Sequence, residues 1–329
     1  MKRKTVAFIS PVWEWWPKTL YRDLVELLWE NSSEYEYTLI SSAKQWILLH
    51  FLWWKYDVII TSVPFLWKPL CSHYILNIHW LYRNDRGFRS PAALLNWLYP
   101  YNSLFAELIL YPSLYLQNYC ALKHKNQKVL HNISRIPFVP NSSKTLSHKK
   151  EITLLTIFRA DIYEKALWIM DIYETLQLFH PEKKIRYRIA GFGKHYEEMK
   201  KKFDIGQLHK NISIEWIWKL DHNIVVEEIE KCDIFLYSTF YETFGIILLE
   251  VLALWKPIIL NNYPSFSWIF DSLFISKDRQ DFLSKLESLL YDEEYFLAYL
   301  EKVYNNREQF WKEKVLQQWY SCISQLSYK

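Results

Sequence analysis

Two glutamates, Glu242 and Glu250, lie eight residues apart in Tyr237–Ile259, a segment whose pattern reads strand, loop, helix, strand. Glu242 falls in the loop and Glu250 inside the helix. Eight helical residues span about 12 Å. That separation suits one carboxylate on a sugar hydroxyl and the other on a ribose, at opposite ends of a sugar nucleotide. Between them, Gly245 allows close approach of the backbone, and the N–H groups of the helix start favour a diphosphate. Taken singly, each reads more simply as structural, Glu242 as a helix N-terminal charge and Glu250 as a solvated or capped surface carboxylate. Glu250, however, is flanked by Ile246, Ile247, Leu248, Leu249, Val251 and Leu252. A carboxylate in so apolar a helix needs a partner.

This segment resembles the E-x7-E signature of family 4 retaining glycosyltransferases, which have the GT-B architecture of two Rossmann-like domains. Upstream, Phe158-Arg159 followed by Glu164-Lys165 resembles the family's arginine and lysine after the first strand of the second domain. The resemblance implies that Arg159 and Lys165 neutralise the donor diphosphate, the charge that a departing nucleoside diphosphate requires. Gly191-Phe192-Gly193 is similar to the family's Gly-x-Gly after a strand, and Ser238 stands in the place of a family serine. In the first half the likeness is looser. Trp15 and Trp16 stand where the family has a Gly-Gly pair at the donor phosphates. His79 ends a strand where the family often places a histidine near the reacting sugar and acceptor; it reads equally as a structural residue. Asn141 resembles the family's Pro-Asn at the domain crossing. No Asp-x-Asp motif occurs, so no catalytic metal is expected, and no cofactor, since the nucleotide sugar is itself a substrate.

The elements that must position these groups are short apolar strands alternating with amphipathic helices, the pattern of parallel sheets with crossover helices. Strands are expected at Thr5–Ser10, Tyr35–Ser41, Asp57–Ser62, Tyr74–His79 and Glu107–Pro112, then at Ile152–Phe158, Ile185–Ala190, Ile212–Ile217, Asp233–Tyr237 and Pro257–Leu260. Helices are expected at Pro17–Glu30, after Ser113, at Tyr163–Phe179, at Thr243–Leu254, and from about Gln280 onward. The polar, breaker-rich Pro140–Lys150 is the expected boundary. The organisation is then an α/β chain of two doubly wound domains facing a cleft: residues 1–145 on the acceptor side, 146–305 binding the nucleotide sugar, and a terminal helix, 306–329, returning to the first domain.

Composition narrows the setting. The 329 residues carry 40 Lys+Arg against 36 Asp+Glu, a net charge of +4 that does not argue for nucleic acid, and none is expected as a partner. The four cysteines are widely spaced, which suggests reduced thiols in a cytosol. The basic Met1–Lys4 precedes an apolar run too short for a signal peptide, and no stretch reaches the length of a membrane span. A cytoplasmic protein is expected. Pro91–Ala121 is rich in aromatic and aliphatic residues and precedes Lys123–Lys128; this suits a peripheral membrane contact or a buried helix and strand.

One count is abnormal: 17 tryptophans against 5 glycines. Average usage of roughly 7% would give about 23 glycines. Trp15, Trp16, Trp80, Trp168 and Trp218 stand where the family that the chain resembles has glycine, Trp53-Trp54 reads as a Gly-Gly turn, and Trp255 ends a helix where glycine is usual. Such a pattern is what a gene in which UGA encodes glycine would show if read as tryptophan. Trp97, Trp216, Trp311 and Trp319 lie in settings that tolerate an aromatic ring. Together these readings give a metal-independent retaining glycosyltransferase, using a UDP- or GDP-linked donor and a glycan or glycolipid acceptor. The alternative is a carbohydrate- or membrane-binding protein of the same fold whose tryptophans fill the phosphate loops.

Overall fold

The computed structural model describes residues 3–10, 15–31, 34–42, 45, 55–65, 71–79, 95–134, 136–138, 145–160, 163–205, 207–218, 222–240 and 242–327. The chain forms two compact units, residues 1–133 with 310–329, and residues 134–309.

The first unit is built on β1 (Lys4–Ile9), β2 (Tyr35–Ile40), β3 (Val58–Thr61), β4 (His73–Asn77), β5 (Leu108–Tyr111) and β6 (Gln127–Val129). They pair in parallel in the order β2-β1-β3-β4-β5-β6. Unbroken apolar runs such as Val58–Ile60 and Leu108–Leu110 are buried throughout, as strands covered on both faces must be. Among the described residues up to Ile133, the unit's helices are α1 (Trp15–Asn31), α2 (Leu95–Ser103) and α3 (Leu114–Cys120). Ser113 starts α3 by accepting the Leu116 N–H at its side chain.

The second unit contains β7 (Glu151–Arg159), α4 (Tyr163–Gln177), β8 (Lys184–Phe192), α5 (Tyr196–Ile205), β9 (Ile212–Trp218), α6 (His222–Lys231), β10 (Ile234–Tyr237), α7 (Ile246–Ala253), β11 (Ile258–Asn261), β12 (Ile275–Ser276), α8 (Arg279–Tyr291) and α9 (Glu293–Arg307). Its parallel sheet runs β12-β11-β10-β7-β8-β9. The order reverses between β7 and β10, which makes their carboxyl ends the switch point where doubly wound sheets bind ligands. All ten strands expected from the sequence are present. The two not expected, β6 and β12, are short edge strands of three and two residues.

The last helix, α10 (Lys312–Ser327), belongs to the first unit. Trp319 packs its ring 5.7 Å from Phe8 of β1, and the Tyr320 hydroxyl donates to Leu28 O at 2.9 Å. Residues 134–138 and 306–309 belong to the second unit. The reason is local: the Arg307 guanidinium lies 4.0 Å from the Trp255 ring centre and 5.2 Å from that of Phe138, tying both segments to the same core.

Candidate active site

At the switch point β7 ends in Arg159 and its neighbour β10 ends in Tyr237. The Tyr237 hydroxyl donates to Glu242 Oε2 at 3.2 Å, and Glu242 Oε1 accepts the N–H groups of Thr243 at 3.0 Å and Phe244 at 3.4 Å. Glu242 is thus a buried carboxylate held on both oxygens, the condition for burying that charge. Burial and the Glu242 charge push the Tyr237 hydroxyl well above its ordinary range, so it remains a donor; the Arg159 charge acts on the same hydroxyl in the opposite sense. Arg159, Tyr237 and Glu242 therefore share one electrostatic neighbourhood.

The loop that carries Glu242 is pinned at two further points. Ser238 Oγ donates to Asp171 Oδ2 of α4 at 2.9 Å. Asn261, ending β11, accepts the Thr239 N–H at 3.0 Å and donates to Thr239 O at 2.8 Å. Arg279 of α8 in turn grips Asp171 at 3.3 Å and pairs with Glu174. Tyr237, Asp171 and Asn261 escaped the sequence reading. Their only signal was a polar group at the end of an apolar strand or on a helix face, too common to single out.

Gly245 closes the loop at φ +74°, a left-handed conformation that side chains disfavour. Its carbonyl accepts the Leu248 N–H at 2.9 Å and starts α7. Glu250 lies within α7 and is buried, as are Leu249 and Val251 beside it. Gly191 pairs with Phe158 across β7 and β8, where a Cβ would come within 2.9 Å of the Phe158 carbonyl oxygen. Gly193 takes φ +129°. Lys165 is the third residue of α4, and Trp15 and Trp16 are the first two of α1; the side chains of all three lie outside the described residues.

His79 follows β4 in the first unit. The Asn77 amide, 3.0 Å from the Tyr21 hydroxyl, donates to His79 Nε2 at 2.8 Å, and the Tyr21 ring meets the imidazole edge-on at 5.5 Å. An Nε2 that accepts belongs to a neutral ring. Burial agrees, lowering the imidazole to about 4.

Trp255 sits at φ +56° just beyond α7. Its N–H donates to Leu252 O at 3.1 Å and that of Lys256 to Val251 O at 3.2 Å. These are the two bonds of a Schellman motif, whose left-handed position glycine usually fills. Trp168 lies inside α4 and Trp218 at the end of β9. Neither has a positive φ, because among the described non-glycine residues only Ala121 and Trp255 do; the backbone makes no demand for glycine at those two positions. Trp53, Trp54, Trp80 and Asn141 lie outside the described residues.

A family model described as glycosyl transferases group 1 matches residues 141–309, just over half of the chain. The chain belongs to that family. No curated protein sequence matches it. Among solved structures, this group 1 glycosyltransferase is similar to Anabaena HepE in complex with UDP-glucose, at 13% identity and a TM-score of 0.68, over 98% of this chain and 99% of that one. It is also similar to sucrose-phosphate synthase from Thermosynechococcus elongatus, at 10% identity and a TM-score of 0.72, over 98% and 99% of the two chains. A third is the lipopolysaccharide outer core galactosyltransferase WaaB, at 13% identity and a TM-score of 0.63 over the same shares. At these identities the likeness establishes the fold, which is that of GT-B glycosyltransferases.

Proposed function

We propose that this glycosyltransferase moves a sugar from a nucleotide-linked donor to an acceptor hydroxyl of a glycan or glycolipid, with retention of configuration and without a catalytic metal. The observation that carries the reading is the switch point itself, where β7 ends in Arg159 and the neighbouring β10 ends in Tyr237, which is bonded to Glu242, ahead of the helix that bears Glu250. In this reading Arg159 and Lys165 neutralise the departing diphosphate, with the N–H groups after Gly245 assisting. Glu250 binds the ribose. Glu242, already oriented by its three donors, holds hydroxyls of the donor sugar. Neutral His79 offers a hydrogen bond to sugar or acceptor without adding charge. HepE has been solved with UDP and with UDP-glucose, which favours a uridine donor over a guanosine one.

We also propose that glycine replaces tryptophan at Trp15, Trp16 and Trp255 in the native polypeptide, through UGA read as glycine. Trp255 supports this: a left-handed conformation costs a residue with a Cβ roughly 1–2 kcal/mol. Peptide mapping of protein from its native host tests it. Tryptophan at all three positions would exclude recoding and favour the binding-protein alternative, with rings filling the phosphate loop.

The activity is tested by incubating the chain with UDP- and GDP-linked sugars and measuring nucleoside diphosphate release and the anomeric configuration of the product. Turnover with retention, lost in Glu242→Gln, is expected. An inverted product, or full activity in that variant, would overturn the mechanism. Unchanged donor affinity in Glu250→Ala would remove the ribose assignment.

A further inference from the structure

Helix α2 buries Tyr99 together with polar residues and turns other apolar residues outward. Its polar residues Asn102 and Ser103 are buried, whereas Trp97, Pro100 and Tyr101, with Leu104 just beyond, face solvent. The inward face is firmly held. Asn102 Nδ2 donates to Phe65 O at 2.8 Å and Leu98 O at 2.9 Å, and its Oδ1 accepts the Phe65 N–H and the Tyr74 hydroxyl, each at 2.9 Å. Ser103 Oγ donates to Pro100 O at 2.6 Å. The outward stripe is therefore fixed by satisfied polar bonds beneath it. Trp97 is 67% exposed, Leu104 77% and Tyr101 37%. At i, i+4 and i+7 they form one continuous face.

A basic loop adjoins the end of this stripe. His124 Nε2 lies 2.9 Å from Ala106 O, and Asn126 Nδ2 donates to Glu107 O at 3.0 Å, seating Lys123–Asn126 against the residues that follow Leu104. Lys123, Lys125 and Lys128 are exposed; Lys128 donates to Gln325 at 3.0 Å. The neighbouring acid, Glu107, is paired with His73 at 3.0 Å. Elsewhere in the stretch the alternative expectation holds, since Leu108–Tyr111 is a buried strand.

We propose that Trp97, Pro100, Tyr101 and Leu104, with Lys123, Lys125 and Lys128, form a surface that docks the protein on an anionic lipid bilayer. Aromatic rings settle at the headgroup level, and lysines beside them meet anionic lipids. A second copy of the chain fits the face poorly, because three exposed lysines border it and protein interfaces are depleted of lysine. The contact is peripheral, because no helix among the described residues is long and apolar enough to cross a membrane. The inference is independent of the sugar-transfer chemistry.

Co-sedimentation with vesicles tests it without any activity assay. The intact chain should bind vesicles of phosphatidylcholine with phosphatidylglycerol at least about tenfold better than phosphatidylcholine alone, and salt should weaken that binding. Each lysine near such a surface is worth about fivefold, so Lys123→Gln, Lys125→Gln and Lys128→Gln together should cost about 100-fold. Trp97→Ser with Leu104→Ser should lower binding about tenfold or more. All five positions are exposed, and circular dichroism melts would confirm that the variants fold. Failure of the intact chain to bind the anionic vesicles, or undiminished binding by both variants, overturns the proposal. So does a solution dimer that the Trp97→Ser, Leu104→Ser variant dissolves, which would assign the face to a second copy.

Discussion

The two units carry parallel sheets of six strands each but place different chemistry beyond the carboxyl ends of their strands. In the second unit those ends present Arg159 and lead to the carboxylate of Glu242, with Asp171 and Arg279 bracing the loop behind. In the first unit the described groups there are neutral: Ser10 after β1, Ser62 after β3, and His79 with Asn77 at the end of β4. Under the proposed function, the difference marks where fixed charge is needed. A departing diphosphate needs preorganised charge, and a chain that buries Glu242 must also supply it with donors. A face that needs no such charge can be finished with hydroxyls, amides and an uncharged imidazole.

The largest effect expected from breaking this contrast is at Arg159. Arg159→Ala should lower kcat/KM for the nucleotide-sugar donor by about 10²–10³, whereas Ser62→Ala in the first unit should stay within about tenfold. Comparable losses in both would remove the distinction between the units. Next comes Gly245→Val. A β-branched side chain at φ +74°, with a Cβ 3.0 Å from Leu248 Cδ1, should cost on the order of 2–3 kcal/mol in urea unfolding. An unchanged midpoint would show that the loop has another conformation within reach. Smaller again is Tyr237→Phe, which keeps the ring and removes one donor to a charged acceptor. A loss of about tenfold in kcat with little change in KM is expected. A loss confined to KM would mean that Tyr237 shapes binding without orienting Glu242.

Much of this was legible in the sequence because its physics is local. Continuous apolar runs such as Ile234–Leu236 announce buried parallel strands, and Glu250 amid isoleucines and leucines announces a carboxylate buried within its helix. What was not legible depends on contacts distant along the chain. Asp171 meets Ser238 across 67 residues and Asn261 meets Thr239 across 22, and neither spacing follows any helical or strand period. The orientation of helix α2 was half legible. Composition marked Pro91–Ala121 as apolar, but only the bonds from Asn102 to Phe65 and Tyr74 show which face turns inward. Trp255 was read correctly as occupying a left-handed position because the helix-ending pattern lies within a few residues. Trp168 and Trp218, placed at glycine positions by the family resemblance, sit in ordinary helix and strand backbone.

The finest test concerns the neutral side of the comparison. An unfolded histidine titrates near 6.5, whereas burial holds His79 at about 4. The fold therefore favours the uncharged ring. Its contribution to stability is complete above pH 6.5 and is lost as pH falls from there through about 4. His131 in the same unit is also lowered by burial, against an opposing bond to Pro112 O, so the intact chain alone cannot isolate His79. Comparison with His79→Gln can, because His131 remains in both. Urea unfolding at pH 7 and pH 5.5 should show the intact chain losing more stability than the variant, by on the order of 1 kcal/mol. Equal losses would mean that the imidazole takes up its proton within the fold. The first unit would then hold a cation near its strand ends, and the division between a charged and an uncharged half would fail.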